Sequence, residues 1–144
     1  MELPFKRVRP GSELPSAHHE GDAGLDLRSA IDATVMPGER VMVPSGVAVA
    51  IPNGHAGLVL PRSGLASTRG LTLANAPGLI DAGYRGEVIC SVVNLDREDA
   101  VEIHVGDRIA QLVVVAIPSV VPVWTEDLPE TRRGEGGFGS TGTS

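Results

Sequence analysis

Apolar and polar residues alternate with a period of two along most of this chain, and that period predicts strands. Val41 and Val43, then Val47, Val49 and Ile51, fall at every second position on either side of Pro44-Ser45-Gly46, which reads as a turn. Leu58 and Leu60 alternate after Pro52-Asn53-Gly54, and Val88 to Val93 is a nearly continuous apolar strand. Val101, Ile103 and Val105 alternate again before Gly106-Asp107 turns the chain into Ile109 to Ile117. Asp96-Arg97-Glu98-Asp99 reads as a solvated hairpin tip. Turn signals recur every eight to twelve residues, the spacing of a sandwich or barrel. Only Ser63 to Thr68, after Pro61, offers a short helix, and no linker is visible before about residue 128.

Composition narrows this picture to one domain with an aliphatic core. The chain has 144 residues, and its aromatics are Phe5, Tyr84, Trp124 and Phe138 alone. The 18 glycines and 11 prolines stay below the level of low-complexity chains, so they mark turns. A single cysteine, Cys90, excludes an internal disulfide, fits a reducing compartment and reads as core filler in its apolar run. The first residues lack the apolar stretch of a signal peptide, and the longest apolar run, Leu112 to Ile117, is too short to span a membrane. These features predict a soluble, cytoplasmic protein.

The net charge of −6 argues against general nucleic-acid binding, although a few placed arginines can still hold a small anion. A phosphate loop ending in Gly-Lys-Ser/Thr is absent, as is a Gly-x-Ser-x-Gly elbow. Gly134 to Gly139 spells Gly-x-Gly-x-x-Gly, but it follows no strand and opens no helix. His18, His19, His55 and His104 have no metal-ligand spacing and read as surface residues.

Five segments are richer in polar residues than turns require. In Asp22-Ala23-Gly24-Leu25-Asp26-Leu27, two acids four apart can face one pocket or a hydrated metal ion; the plainer reading is an Asx turn. In Pro61-Arg62-Ser63-Gly64-Leu65-Ala66, Ser63 and the amides of a helix start can meet phosphate oxygens, or simply cap the helix. Asn75 to Gly86 reads as a tight hairpin in which Asn75 can read a base edge, Asp81 can orient water and Tyr84 can pack a sugar. Gly106 to Gln111 is the fourth segment. The last, Thr131 to Ser144, places five glycines around Phe138, with Arg132 and Arg133 just upstream. A solvated linker has no use for a lone aromatic, whereas an arm closing over an anionic ligand with a planar ring needs these residue types.

In this order and spacing the segments resemble the five motifs of the trimeric deoxyuridine triphosphatases (dUTPases), here Asp22–Leu27, Pro61–Ala66, Gly78–Gly86, Gly106–Gln111 and Arg133–Gly142. The resemblance covers essentially the whole chain. It implies an all-β fold, a distorted jelly-roll β-barrel over residues 1–130 with one short helix, and a C-terminal arm over 131–144. It further implies a homotrimer whose three sites each take the first, second and fourth motifs from one chain, the third from another and the arm from a third. The implied reaction is hydrolysis of dUTP to dUMP and pyrophosphate by water attack on the α-phosphorus. That activity limits uracil in DNA and supplies dUMP for dTMP synthesis.

The resemblance also implies roles. Asp81 would activate the water, since an ordinary aspartate is ionised at pH 7 and can accept a proton. Asn75 and the hairpin backbone around Gly78 and Ile80 would read uracil, and Tyr84 would lie under the deoxyribose and exclude a 2′-hydroxyl. Arg62, Ser63, Gly64 and Gln111 would hold phosphates. Mg²⁺ would be held directly by the three phosphates, with Asp26 touching it only through water. Arg133 would clamp the γ-phosphate, Phe138 would stack on uracil, and Gly139 and Ser140 would complete the arm's contacts. Asp22 would steady the arm or the site, while Arg85 and Arg108 read as structural ion-pair partners. Two rivals remain: a dCTP deaminase on the same scaffold, for which Ser91 stands about where a catalytic Glu is expected, and a non-catalytic binding protein, which would be expected to lose Asp81 or the arm.

Overall fold

The computed structural model describes residues 1–131 and 134–135; the predicted arm contacts of Arg133, Phe138, Gly139 and Ser140 lie outside them. In chain order the elements are β1 (Phe5–Arg7), β2 (Leu25–Arg28), β3 (Ala33–Val35), β4 (Arg40–Val49) and β5 (His55–Pro61). Helix α1 (Ser63–Arg69) follows, then β6 (Leu71–Leu73), β7 (Gly78–Ile80), β8 (Glu87–Asn94), β9 (Val101–Ile103) and β10 (Arg108–Ala116). All strand pairs are antiparallel. One four-stranded sheet runs β1-β4-β8-β6, a second runs β2-β10-β5-β7, and β3 and β9 make a two-stranded ribbon. The fold is all-β and jelly-roll-like, but the sheets do not close into one continuous barrel.

Alternation explains the packing. On β8, Val88, Cys90 and Val92 point inward, and on β10 Ala110 and Leu112 do the same. They meet Leu27, Val43, Val49, Ile51 and Val59 in a core whose fully enclosed apolar side chains are aliphatic or Cys90. Each such Val, Leu or Ile contributes about 1.5–3 kcal/mol by burial. Asn94 is the largest buried polar residue; its amide donates to the carbonyls of Val35 (2.9 Å) and Asp99 (2.8 Å), which ties β3 and the 95–99 loop to β8.

Two local expectations are corrected. Pro44-Ser45-Gly46 does not turn the chain; it is a bulge inside one ten-residue strand, β4. The ladder to β8 jumps from Pro44–Ile89 to Ala48–Glu87, and Gly46 supplies the positive φ of +74° that the bulge requires. On β5 the core is reached by Val59, whereas Leu58 and Leu60 stay half-buried on the other face. The helix falls where expected, one residue longer, and ends at Gly70 with φ +65°. After Ala116 the described chain forms no further regular element.

Candidate active site

Sheet register assembles the first group of polar residues. Asp26 on β2 lies opposite Gln111 on β10, and Gln111 lies opposite Leu60 on β5, so the three share a row on the outer face of the second sheet. Gly24 leaves room for Gln111: a Cβ there would overlap its Oε1 and push the side chain aside. Gln111 Nε2 donates to the Pro61 carbonyl at 3.0 Å, which holds the amide beside the start of α1. Arg62 occupies the N-cap position in an extended conformation, yet no side chain caps the helix. Ser63 and Gly64, which open α1, line the same cavity as Asp22, Asp26, Arg62 and Gln111, of about 380 Å³, and the first amides of the helix are left without a side-chain cap.

The charges in this cavity are organised around Asp26. Its Oδ1 meets Arg62 Nε at 3.2 Å, and its Oδ2 meets Arg108 Nη1 at 3.2 Å. The ion-pair reading of Arg108 thus has a partner. Arg85, in contrast, pairs with no acid among the described residues and donates to the carbonyls of Ala82 and Tyr84. Asp22 forms no Asx turn; its Oδ2 accepts the amide of His19, three residues earlier, at 2.8 Å, folding the 19–22 turn at the cavity wall. His18 was missed by sequence reading. It lines the cavity, and its Nδ1 lies 3.2 Å from Arg108 Nη1, so the ring nitrogen accepts. Its only signal was proximity to the first motif.

The second group lies elsewhere. Asn75, Gly78, Ile80, Asp81 and Tyr84 border a cavity of about 320 Å³ between the edges of the two sheets. Gly78 and Ile80 are buried on β7, while Asn75, Asp81 and Tyr84 are exposed around it. The Asn75 amide lies 3.3 Å from where a Gly78 Cβ would stand, and the Ala76–Pro77 peptide beside it is cis. The Tyr84 amide donates to the Asp81 carbonyl at 3.0 Å, closing the turn that sets Asp81 at the cavity edge. The Asp81 carboxylate has no partner among the described residues. Cys90 lines this cavity from the core, and burial pushes its thiol up to about 12, which keeps it protonated and inert.

The two cavities share no lining residue. Leu60 lines the first and Val59 the second, and successive residues of one strand point to opposite faces. The arginine cavity thus lies on the outer face of the second sheet, and the Asp81 cavity lies around its β7 edge, where both Leu79 and Ile80 line it. The described residues contain no group of three His, Cys, Asp or Glu able to hold a metal. They also contain no helix long and apolar enough to cross a membrane.

Residues 11–142 match the dUTPase family model. The deoxyuridine 5′-triphosphate nucleotidohydrolase of Mycolicibacterium gilvum is 53% identical over 145 residues, covering 97% of this chain and 94% of that one. The dUTPase of Staphylococcus bacteriophage 80alpha, solved with dUPNHPP, superposes with a TM-score of 0.91 at 32% identity, covering 98% of each chain. A point mutant of the dUTPase of the S. aureus phage phi11, solved to describe the coordination of a structural Mg(II) ion, gives a TM-score of 0.84 at 27% identity, covering 90% of this chain and 100% of that one.

Proposed function

The chain belongs to the dUTPase family and is a dUTP-hydrolysing enzyme, and from that premise we propose how its residues divide the work. The products are dUMP and pyrophosphate, formed by attack of water on the α-phosphorus. The observation that carries the proposal is the division of the polar residues between two cavities that share no lining residue. On this reading one nucleotide spans both groups at a contact between copies, with the arginine cavity of one copy facing the Asp81 cavity of another. A closed ring of three copies satisfies this at three equivalent sites. The wholly exposed indole of Trp124, at 102%, supports assembly, as do Val120, Val121, Val123 and Leu128, each at least 75% exposed.

Within such a site Arg62, Gln111 and the amides of Ser63 and Gly64 hold the phosphates. Asn75 and the backbone at Gly78 and Ile80 read uracil, Tyr84 lies against the sugar, and the Asp81 carboxylate, without a partner among the described residues, takes the proton of the attacking water. Residues 131–144 act as the arm, with Arg133 on the γ-phosphate, Phe138 stacked on uracil, and Gly139 and Ser140 beside them. Asp26 is the one carboxylate among the phosphate-cavity residues, apart from Asp22 in its turn, and both its oxygens already face arginines. That donor set fits Mg²⁺ carried by the phosphates and met by Asp26 only through water. The ion supplies charge neutralisation on the triphosphate when bound.

The deaminase alternative loses support. Glu87, the acid that opens β8, is engaged by Arg9 and the Gly46 amide, and Ser91 stands further along the strand. Pyrophosphate release from dUTP, dTTP, dCTP and UTP, with ammonia release from dCTP as control, tests the activity. Assembly is tested by mixing Asp81→Asn chains with chains ending at Thr131. If the Asp81 segment, which lies between β7 and β8 in different sheets and not in a tight hairpin, and the arm come from different chains, random trimers recover roughly a quarter of wild-type activity. No recovery, with mixed trimers confirmed by mass, overturns the shared site.

A further inference from the structure

Glu87 is held more firmly than its place at the start of β8 requires. Its carboxylate accepts Arg9 Nε at 2.7 Å and Arg9 Nη2 at 3.0 Å, a two-point contact, and Oε1 also accepts the Gly46 amide at 2.8 Å. The Arg9 hydrogen bond is the main reason its carboxyl ionises below the usual range. Gly46 in turn offers its carbonyl to the amides of Val8 (2.8 Å) and Arg9 (3.2 Å). The N-terminal segment, the β4 bulge and the first residue of β8 are thus tied at one point. This point lies where the β4–β8 ladder is interrupted, between the Pro44–Ile89 and Ala48–Glu87 pairs. A side chain replaces the missing rungs.

The main chain of the same residue holds Tyr84. The phenol hydroxyl donates to the Glu87 carbonyl at 2.9 Å. The ring reaches it by folding over Gly86, where a Cβ would overlap the phenol oxygen. Tyr84 is exposed and belongs to no part of the hydrophobic core, so packing alone does not fix it. Its position follows that of the Glu87 backbone, and the Glu87 backbone follows its side-chain anchors.

We infer that Arg9 and Glu87 are positioning residues for Tyr84 and thereby set discrimination between deoxyribose and ribose nucleotides. The specificity half of this inference rests on the reading that Tyr84 lies against the sugar. Neither residue is assigned to phosphate, base or water, although Glu87 lines the Asp81 cavity beside Tyr84, and Arg9 lies outside all five polar segments.

The test uses the full chain with 3-fluorotyrosine, which gives one ¹⁹F resonance because Tyr84 is the only tyrosine. Spectra are compared for wild type, Arg9→Ala, Arg9→Lys and Glu87→Gln, and kcat/KM is measured with dUTP and UTP, with unlabelled Tyr84→Ala as reference. We expect Arg9→Ala and Glu87→Gln to shift or broaden the resonance. We also expect them to lower the dUTP-over-UTP preference on the order of tenfold, the low end of what one misfitted pocket contact costs. Arg9→Lys, which retains charge but not the two-point geometry, should fall between. An unchanged resonance in both variants overturns the clamp. A moved resonance with unchanged preference, while Tyr84→Ala does lower it, overturns the specificity role. If Tyr84→Ala itself leaves the preference intact, the sugar contact fails and the specificity role falls with it, while the resonance still decides the positioning.

Discussion

Replacing Asp26 with Asn tests what the central carboxylate does for the phosphate cavity. The change keeps the shape of the side chain and removes one negative charge. If that charge merely offsets the arginines, its loss leaves the cavity more positive and dUTP binds more tightly. If it orients them, the opposite follows. The geometry favours orientation. Asp26 is 15% exposed and contacts Arg62 and Arg108 at 3.2 Å each, and those arginines are 28% and 31% exposed. A hydrogen bond to a charged group contributes about 1.5–3 kcal/mol and a fully exposed ion pair at most about 1, so this partly sheltered pair of contacts lies near 1–3 kcal/mol together. Asn retains one acceptor but turns an amide N–H₂ towards the other guanidinium, donor against donor. A loss of that size corresponds to about 5–150-fold in an equilibrium. We expect KM for dUTP to rise by about tenfold, with a smaller change in kcat and a lower melting temperature. Pyrophosphate release, followed across a Mg²⁺ titration, separates the causes: excess Mg²⁺ restores KM only if the lost contact ran through a metal-bound water. A lower KM with unchanged melting would refute the orienting role.

Asp81→Asn should reduce kcat on the order of 10²–10⁴ with little change in nucleotide affinity, and near-normal turnover would remove Asp81 as the base. Gly24→Ala should displace Gln111, because the new methyl overlaps its Oε1, and raise KM while leaving kcat largely intact; an unchanged KM would deny Gln111 a phosphate contact. Asn94→Leu leaves the Val35 and Asp99 carbonyls without their donor and should cost about 1–3 kcal/mol in urea denaturation. The Glu87→Gln substitution has a pH signature. Glu87 ionises below its ordinary value of 4.5 in the folded chain, so the ion pair's stabilisation is complete above that value and is lost as pH falls through the lower folded one. The variant should be less stable than wild type at neutral pH, and the gap should close on acidification; a gap that persists in acid would assign the effect to packing.

Much of this was legible along the chain because strands longer than about five residues leave a period. β8 and β10 were readable from Val88 to Val93 and from Ile109 onward. β1, β3, β6 and β7 have three residues each, too few for alternation to register, whereas β9, equally short, showed through Val101 and Ile103. At Pro44-Ser45-Gly46 the chemistry of a turn was real but served a bulge, and only the pairing partner Ile89 distinguishes the two. The motif residues fell into two cavities, yet the contacts that organise them were invisible. Arg108 meets Asp26 across 82 positions, and Arg9 meets Glu87 across 78. Such pairs are set by sheet topology, which a single sequence does not print.

The placement of aromatic residues links composition to mechanism. An aliphatic core closes the fold without Trp124 or Tyr84, and Phe5 only packs against its edge. Rings are large, stiff and costly to leave in water, so their exclusion from the core implies a use at surfaces. Tyr84 stands at the rim of the Asp81 cavity, held by a backbone carbonyl rather than by packing. Trp124 projects from the segment after β10, surrounded by exposed valines. In one copy these rings are exposed apolar surface; in the proposed assembly they would become contact surface against a second copy and a bound nucleotide. The division of the polar residues between two cavities with no shared lining residue is what the proposed assembly would join, and aromatics left outside the core fit a role at that junction.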